Sequence, residues 1–138
     1  MKYVKRRAPV MRRHKDIDQI DGMLLNALAY IRMCVKVCNE QIEQFRGVPD
    51  MNAHKLYKMY RRLLAMYLRS VSVIEKIRPT FSARKVSSIM LSLTKAYNSI
   101  KRDFLDKFTS RGIDQLRKYT GQVLHLFVKV TMVANSRI

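Results

Sequence analysis

The stretch from His54 to Arg78, HKLYKMYRRLLAMYLRSVSVIEKIR, decides how the rest of the chain is read. Set out at 100° per residue, Leu56, Tyr60, Leu63, Tyr67, Val71, Ile74 and Ile77 recur at steps of three and four and form one apolar seam. Lys55, Lys58, Arg62, Arg69 and Lys76 fall on another side, within about 60° of one another. At about 1.5 Å per residue these five cations cover roughly 30 Å of helix. No acid interrupts the stretch before Glu75. A helix surface meant only for water usually mixes both signs. From this stretch alone, a solvated lysine-rich face and a row of phosphate-binding cations both stay open.

The chain around it is strongly basic. Its 138 residues suit one domain with a real core, and 28 Lys and Arg against 10 Asp and Glu give a net charge of +18. An apolar content of 48% argues against disorder, and only four Gly and three Pro argue for few, long elements. Such an excess of one sign opposes compaction by self-repulsion, which points to a polyanionic partner. Nucleic acid is the first expectation and an anionic membrane its competitor. No apolar run reaches the ~18 residues that a membrane-spanning helix needs. The best candidate, Met23 to Cys38, is broken by Asn26, Arg32 and Lys36. The basic start is followed by Asp16, Asp18 and Asp21, with no small-residue cleavage site, so a secretory signal is not expected. An Arg-rich transit peptide stays open.

Residues 1–15, MKYVKRRAPVMRRHK, carry Lys2, Lys5, Arg6, Arg7, Arg12, Arg13 and Lys15 and no acid. Pro9 is expected to break any helix here. The segment reads as a basic arm: a solubilising tail, an import signal, or a strand of charge laid along phosphates. Taking these seven from the 28 basic residues leaves 21 against 10 acidic, so the body is basic too.

Four long helices are expected. The first, about 17–46, repeats Ile17, Ile20, Leu24, Leu28, Ile31, Val35, Cys38, Ile42 and Phe45 at a step near 3.5 and is apolar on nearly every side between Met23 and Cys38. A helix of that kind is buried on more than one face or meets another subunit. Gly47 and Pro49 stop it. The second covers about 51–78, capped by Asp50 or Asn52 and ended before Pro79. The third, about 83–108, is capped by Ser82 or Thr80 and has the seam Val86, Ile89, Leu93, Tyr97, Ile100, Phe104 and Phe108. Its outer line holds Arg84, Ser88, Lys95 and Arg102, with Ser92 and Ser99 alongside; hydroxyls with cations suit phosphate, and ordinary surface reads the same way. Gly112 is expected to end that helix. The fourth, about 113–134, keeps Ile113, Leu116, Thr120, Val123, Phe127, Val130 and Ala134 in register. A strand over part of Gln122–Val133 is the alternative, set aside because nothing offers it a partner. Leu124, Leu126, Val128, Met132 and Val133 exceed what one seam needs and point to subunit contacts.

The chemistry of catalysis is thin. Asp16, Asp18 and Asp21 before Gly22 lack the spacing of a calcium loop and read as helix-start acids. Cys34 and Cys38 sit four apart on one helix, far in sequence from His14, His54 and His125; buried thiols are a better reading than a disulfide or a metal site, and suit a reducing compartment. His125 reads as a surface residue. No Glu-x-x-His pair, Gly-rich phosphate loop or nucleophile motif occurs. No enzyme, cofactor or metal is expected. The helices are also too long, and the cations too spread, for a helix-turn-helix reader of base edges. Spread phosphate contact implies binding that ignores sequence.

A small, strongly basic, nearly all-helical chain with a basic N-terminal segment resembles the major capsid proteins of filamentous archaeal viruses. The resemblance lies in length, charge and layout, without a diagnostic motif, and assigns no residue roles. It implies helical subunits that pair and wrap duplex DNA inside a virion. The sequence reading is therefore an all-α bundle or hairpin array that self-associates, with itself or a similar subunit, on double-stranded DNA. Its phosphate contacts are expected from Lys2, Lys5, Arg6, Arg7, Arg12, Arg13, Lys15, Lys55, Lys58, Arg62, Arg69 and Lys76, and secondarily from Arg84, Lys95 and Arg102. Tyr57 and Tyr60 can stack on bases if the ligand is single-stranded, or edge the core. An intracellular RNA-binding ribonucleoprotein component is one alternative. A scaffold bound to anionic membrane is another, opposed by the lack of Trp or Phe beside the cations.

Overall fold

Four helices account for nearly all of the described chain: α1 (Lys2–Phe45), α2 (Met51–Ile77), α3 (Ala83–Ile100) and α4 (Arg111–Asn135). This computed structural model describes the backbone of residues 2–80 and 82–136 and the side chains of residues 16–80 and 82–136. Among them there is no strand, and Gln122–Val133 is helical throughout. Short turns make the helices alternate in direction. Phe45 stacks on Tyr60 near the first turn, with ring centroids 6.2 Å apart, while Asp21 and Arg78 meet at the far end of the same pair. Ser87 is hydrogen-bonded to Asn135 at the open end of α3 and α4. The result is an all-α, up-down-up-down bundle.

Burial follows the sequence periodicity closely. All seven seam residues of α4, from Ile113 to Ala134, are fully buried. On α2 the seam buries Tyr60, Leu63, Tyr67, Ile74 and Ile77, joined by Ser70. Helix α1 packs on both α2 and α4, which explains its broad apolar surface. Much of the expected surplus on α4 is taken up inside the chain. Leu124, Leu126 and Val133 pack against the core, while Val128 and Met132 stay exposed at 47% and 66%.

The backbones of α2 and α3 approach each other least of the adjoining pairs. Large side chains at a helix contact widen the spacing, and this seam is filled by tyrosines. The Tyr67 and Tyr97 rings meet edge-on at 5.8 Å, and Tyr97 meets Phe127 the same way at 5.2 Å. Each buried hydroxyl has a partner: Tyr67 with Thr120 at 2.7 Å, and Tyr97 with Ser70, whose own hydroxyl donates to the Tyr67 carbonyl at 2.7 Å.

Three expectations are corrected and one alternative is settled. Helix α1 starts at Lys2 and passes Pro9 without a break. Proline removes one backbone donor, but Lys, Arg, Ala and Met on both sides of it are strong helix formers. The seven arm cations, Lys2 to Lys15, lie outside the described side chains. The third helix does not run as one α-helix to Phe108: it passes at Ile100 into a single π turn, Lys101–Leu105. Bonding five residues back shifts the inward face, so Leu105 is buried and Phe104 only partly. Gly112 does not end a helix. It lies in the first turn of α4, capped by Ser110, whose hydroxyl accepts from the Ile113 N–H at 3.2 Å. A Cβ at Gly112 would stand 2.6 Å from the Tyr60 hydroxyl, so glycine is there for close approach. Of the two readings left open for Tyr60 the structure keeps the core one: it is fully buried under Phe45 and bonded to Ser110 at 3.0 Å, and cannot stack on a base. The expected turns at Gly47, which has φ +71°, and the caps Asp50 and Ser82 are present.

Candidate nucleic-acid interface

With the seam of α2 turned inward, its cations must face out. Lys55, Lys58, Arg62, Arg69 and Lys76 are all exposed, and none has an ion-pair partner among the described residues. Arg62 leans toward α3, its guanidinium 5.4 Å from the centre of the Phe104 ring. That contact places the row on the flank of α2 nearest the wide α2–α3 seam. Glu75 lies on the opposite flank, where Arg32 of α1 donates to it at 3.1 Å. The outward face of α2 thus presents cations without acids along its middle.

The acids are elsewhere and mostly occupied. Arg78 pairs with Asp21 at 2.7 Å, Arg46 with Glu43 at 3.0 Å and Arg117 with Asp114 at 3.0 Å. Asp50 is spent on the α2 cap, accepting from the Ala53 N–H at 3.3 Å. A positive field therefore dominates the α2 side.

The α3 candidates divide. Arg84 and Lys95 are exposed on the outer side of α3 and have no ion pair among the described residues. Arg102 is exposed but sits in the π turn, where it donates to Asp103 at 3.0 Å and reaches the Ser99 hydroxyl at 3.4 Å. The hydrogen bond from Arg102 holds the Asp103 carboxyl below its ordinary range. Arg102 thus brings a carboxylate with it, which weakens it as a phosphate contact.

Two cations were missed by the sequence reading. Lys85 is exposed at the start of α3, on the flank turned away from Ser87 and α4. Arg61 is exposed beside Tyr57, with 5.7 Å between its guanidinium and the ring centre. The spacing of four between Tyr57 and Arg61 is a helical neighbour signal that was available. Arg61 lies about 100° around the helix from Arg62, outside the row.

Cys34 and Cys38 are free and buried. Burial pushes the Cys34 thiol up to about 12 and raises Cys38 further. Such thiols are poor nucleophiles and ligands. His125 is exposed, as expected for a surface residue. Among the described residues no group of three or more His, Cys, Asp or Glu is placed to hold a metal ion, and no helix is long and apolar enough to cross a membrane.

No family model, curated protein or solved structure matches the chain.

Proposed function

We propose that this protein coats nucleic acid through sequence-independent phosphate contacts, as a self-assembling structural subunit. The observation that carries the reading is the exposed, acid-free row on α2, Lys55, Lys58, Arg62, Arg69 and Lys76. The row is roughly 30 Å long, on the scale of one turn of duplex. Arg84, Lys95 and Lys85 extend the positive surface onto α3. The row offers charge without the clustered Arg, Asn and Gln of a base-reading helix. In its specific form the proposal is a capsid or nucleoprotein subunit on double-stranded DNA, which rests on the likeness in size, charge and helical layout to the filamentous archaeal capsid proteins. Exposed Leu25 and Met33 on α1, and Val128 and Met132 on α4, are available for contacts between subunits.

Nuclease-treated protein should be titrated with mixed-sequence duplex DNA, structured RNA and anionic vesicles across a salt series, with electron microscopy of each mixture. Salt-sensitive, sequence-indifferent duplex binding that yields regular filaments is the expected result. Selective binding of one RNA by a monomer would replace it with a ribonucleoprotein role. Binding confined to vesicles would make the α2 row a lipid-facing surface.

A further inference from the structure

A pocket of about 510 Å³ opens between α1 and α2 on the flank of α2 away from α3. Its wall is the half-buried Tyr57 ring, with the Arg61 guanidinium 5.7 Å from the ring centre. Ile42 and Leu64 supply apolar surface, Asn39 supplies an amide, and the Glu43–Arg46 ion pair at 3.0 Å completes the lining. We propose that this pocket takes an unpaired base from a nucleic-acid strand whose phosphates run over α2. The inference rests on the coating reading in its general form, phosphate contact from the α2 row, and departs from its duplex form by making a strand with unpaired bases the preferred ligand.

Three features point to a base. Tyrosine faces and guanidinium planes are protein surfaces on which unpaired bases stack, and here the Arg61 guanidinium stands 5.7 Å from the Tyr57 ring centre at the pocket. An amide meets a base edge as donor and acceptor, and Asn39 supplies one at the pocket. Arg61 lies between the pocket and Lys58 on the outward face of α2, so a backbone on the cation row passes the pocket mouth. A phosphate site alone would not need the Tyr57 ring or the Ile42 and Leu64 surface.

The prediction runs against plain electrostatics. Duplex DNA has the denser charge and the steeper counterion release, so a purely cationic surface favours duplex over single strand. Stacking on the pocket wall reverses that order. Fluorescence anisotropy should compare a labelled mixed-sequence single strand with its own duplex, at one salt concentration, on wild type, Tyr57→Leu, Tyr57→Phe and Arg61→Ala. The single strand should bind wild type more tightly. Tyr57→Leu should weaken single-strand binding about tenfold, the scale of one lost stacking contact, and leave duplex binding within about twofold, whereas Arg61→Ala, which also removes an exposed cation, should weaken single-strand binding more than duplex binding. Tyr57→Phe should keep the preference, because the ring face remains. Arg61 is exposed, so its variant tests the pocket without touching the core. Duplex binding with no single-strand preference, or equal losses on both ligands, would overturn the pocket while leaving the coating reading intact. Absence of binding to either ligand would overturn both.

Discussion

The Tyr67 hydroxyl of α2 lies 2.7 Å from the Thr120 hydroxyl of α4, and both side chains are fully buried. The Cys34 sulfur stands 4.0 Å from the same Thr120 oxygen, so α1, α2 and α4 meet at one polar point. A buried hydroxyl that loses its partner costs about 1–3 kcal/mol, whereas removing both partners costs less than the two single losses together. Tyr67→Phe and Thr120→Val should each lower unfolding free energy by about 1–2 kcal/mol, and the double variant by less than their sum. Urea denaturation of the four proteins checks this. Strict additivity would mean that the contact contributes nothing as a pair.

Gly112 and Gly121 lie on the same helix and should respond oppositely to alanine. A Cβ at Gly112 meets the Tyr60 hydroxyl at 2.6 Å and the Gln41 side chain at 2.9 Å, while at Gly121 nothing lies within 4 Å. Overpacking costs about 1–3 kcal/mol, against the roughly 1 kcal/mol that alanine gains over glycine in a helix. Gly112→Ala should therefore be neutral to destabilising, and Gly121→Ala stabilising by up to about 1 kcal/mol. Thermal melts of both variants test the contrast. Adding Tyr60→Phe to Gly112→Ala should recover part of the loss, because it removes the clashing oxygen.

These two glycines also mark what the sequence can and cannot tell. The existence of four helices, the α4 seam and the exposure of the α2 cations follow from local periodicity, and the structure keeps them. The role of Gly112 depends on Tyr60 and Gln41, distant in sequence, so glycine after Ser110 reads equally well as a helix end. The π turn is hidden for a related reason. Phe104 continues the third-helix seam at the usual spacing of four, and only packing selects Leu105 for burial. That turn also makes Arg102 and Asp103 partners, although adjacent residues on an α-helix do not face each other. The sequence sets Asp103 and Asp106 close to Arg102, with Asp106 on its line, and the structure makes Asp103 the counter-charge. Tyr57 and Arg61 were legible as a pair, but the pocket beside them depends on where α1 lies.

Alkaline pH should destabilise the fold through its buried thiols. Burial raises the Cys34 pKa from an ordinary 9.0 to about 12. A group whose folded pKa is raised contributes stability that is fully present below the unfolded value and is lost as pH rises through the folded one. Stability should hold below about pH 9 and fall progressively between about 9 and 12, with Cys38 adding in the same direction. Cys34→Ala should flatten part of that fall, at a cost in packing at neutral pH. Urea midpoints across the pH range give the comparison. At neutral pH both thiols should react with a maleimide only after denaturant is added. Rapid labelling of native protein would contradict their burial.

Charge reversal separates the α2 row from the π-turn cation. Arg62 and Arg69 are exposed and carry no ion pair among the described residues, whereas Arg102 already faces Asp103 at 3.0 Å. Each phosphate contact removed should lower the slope of log affinity against log salt by about one. Arg62→Glu and Arg69→Glu should each do so and weaken binding to unrelated sequences alike. Arg102→Glu should change the slope less, since the pair with Asp103 is nearly neutral to begin with. Circular dichroism should find all three variants helical, although Arg62→Glu also gives up its contact with the Phe104 ring. If one sequence lost far more affinity than another, the α2 row would be reading bases and not backbone. If Arg102→Glu proved the most damaging of the three, the interface would centre on the π turn, where Arg102 reaches the Ser99 hydroxyl at 3.4 Å.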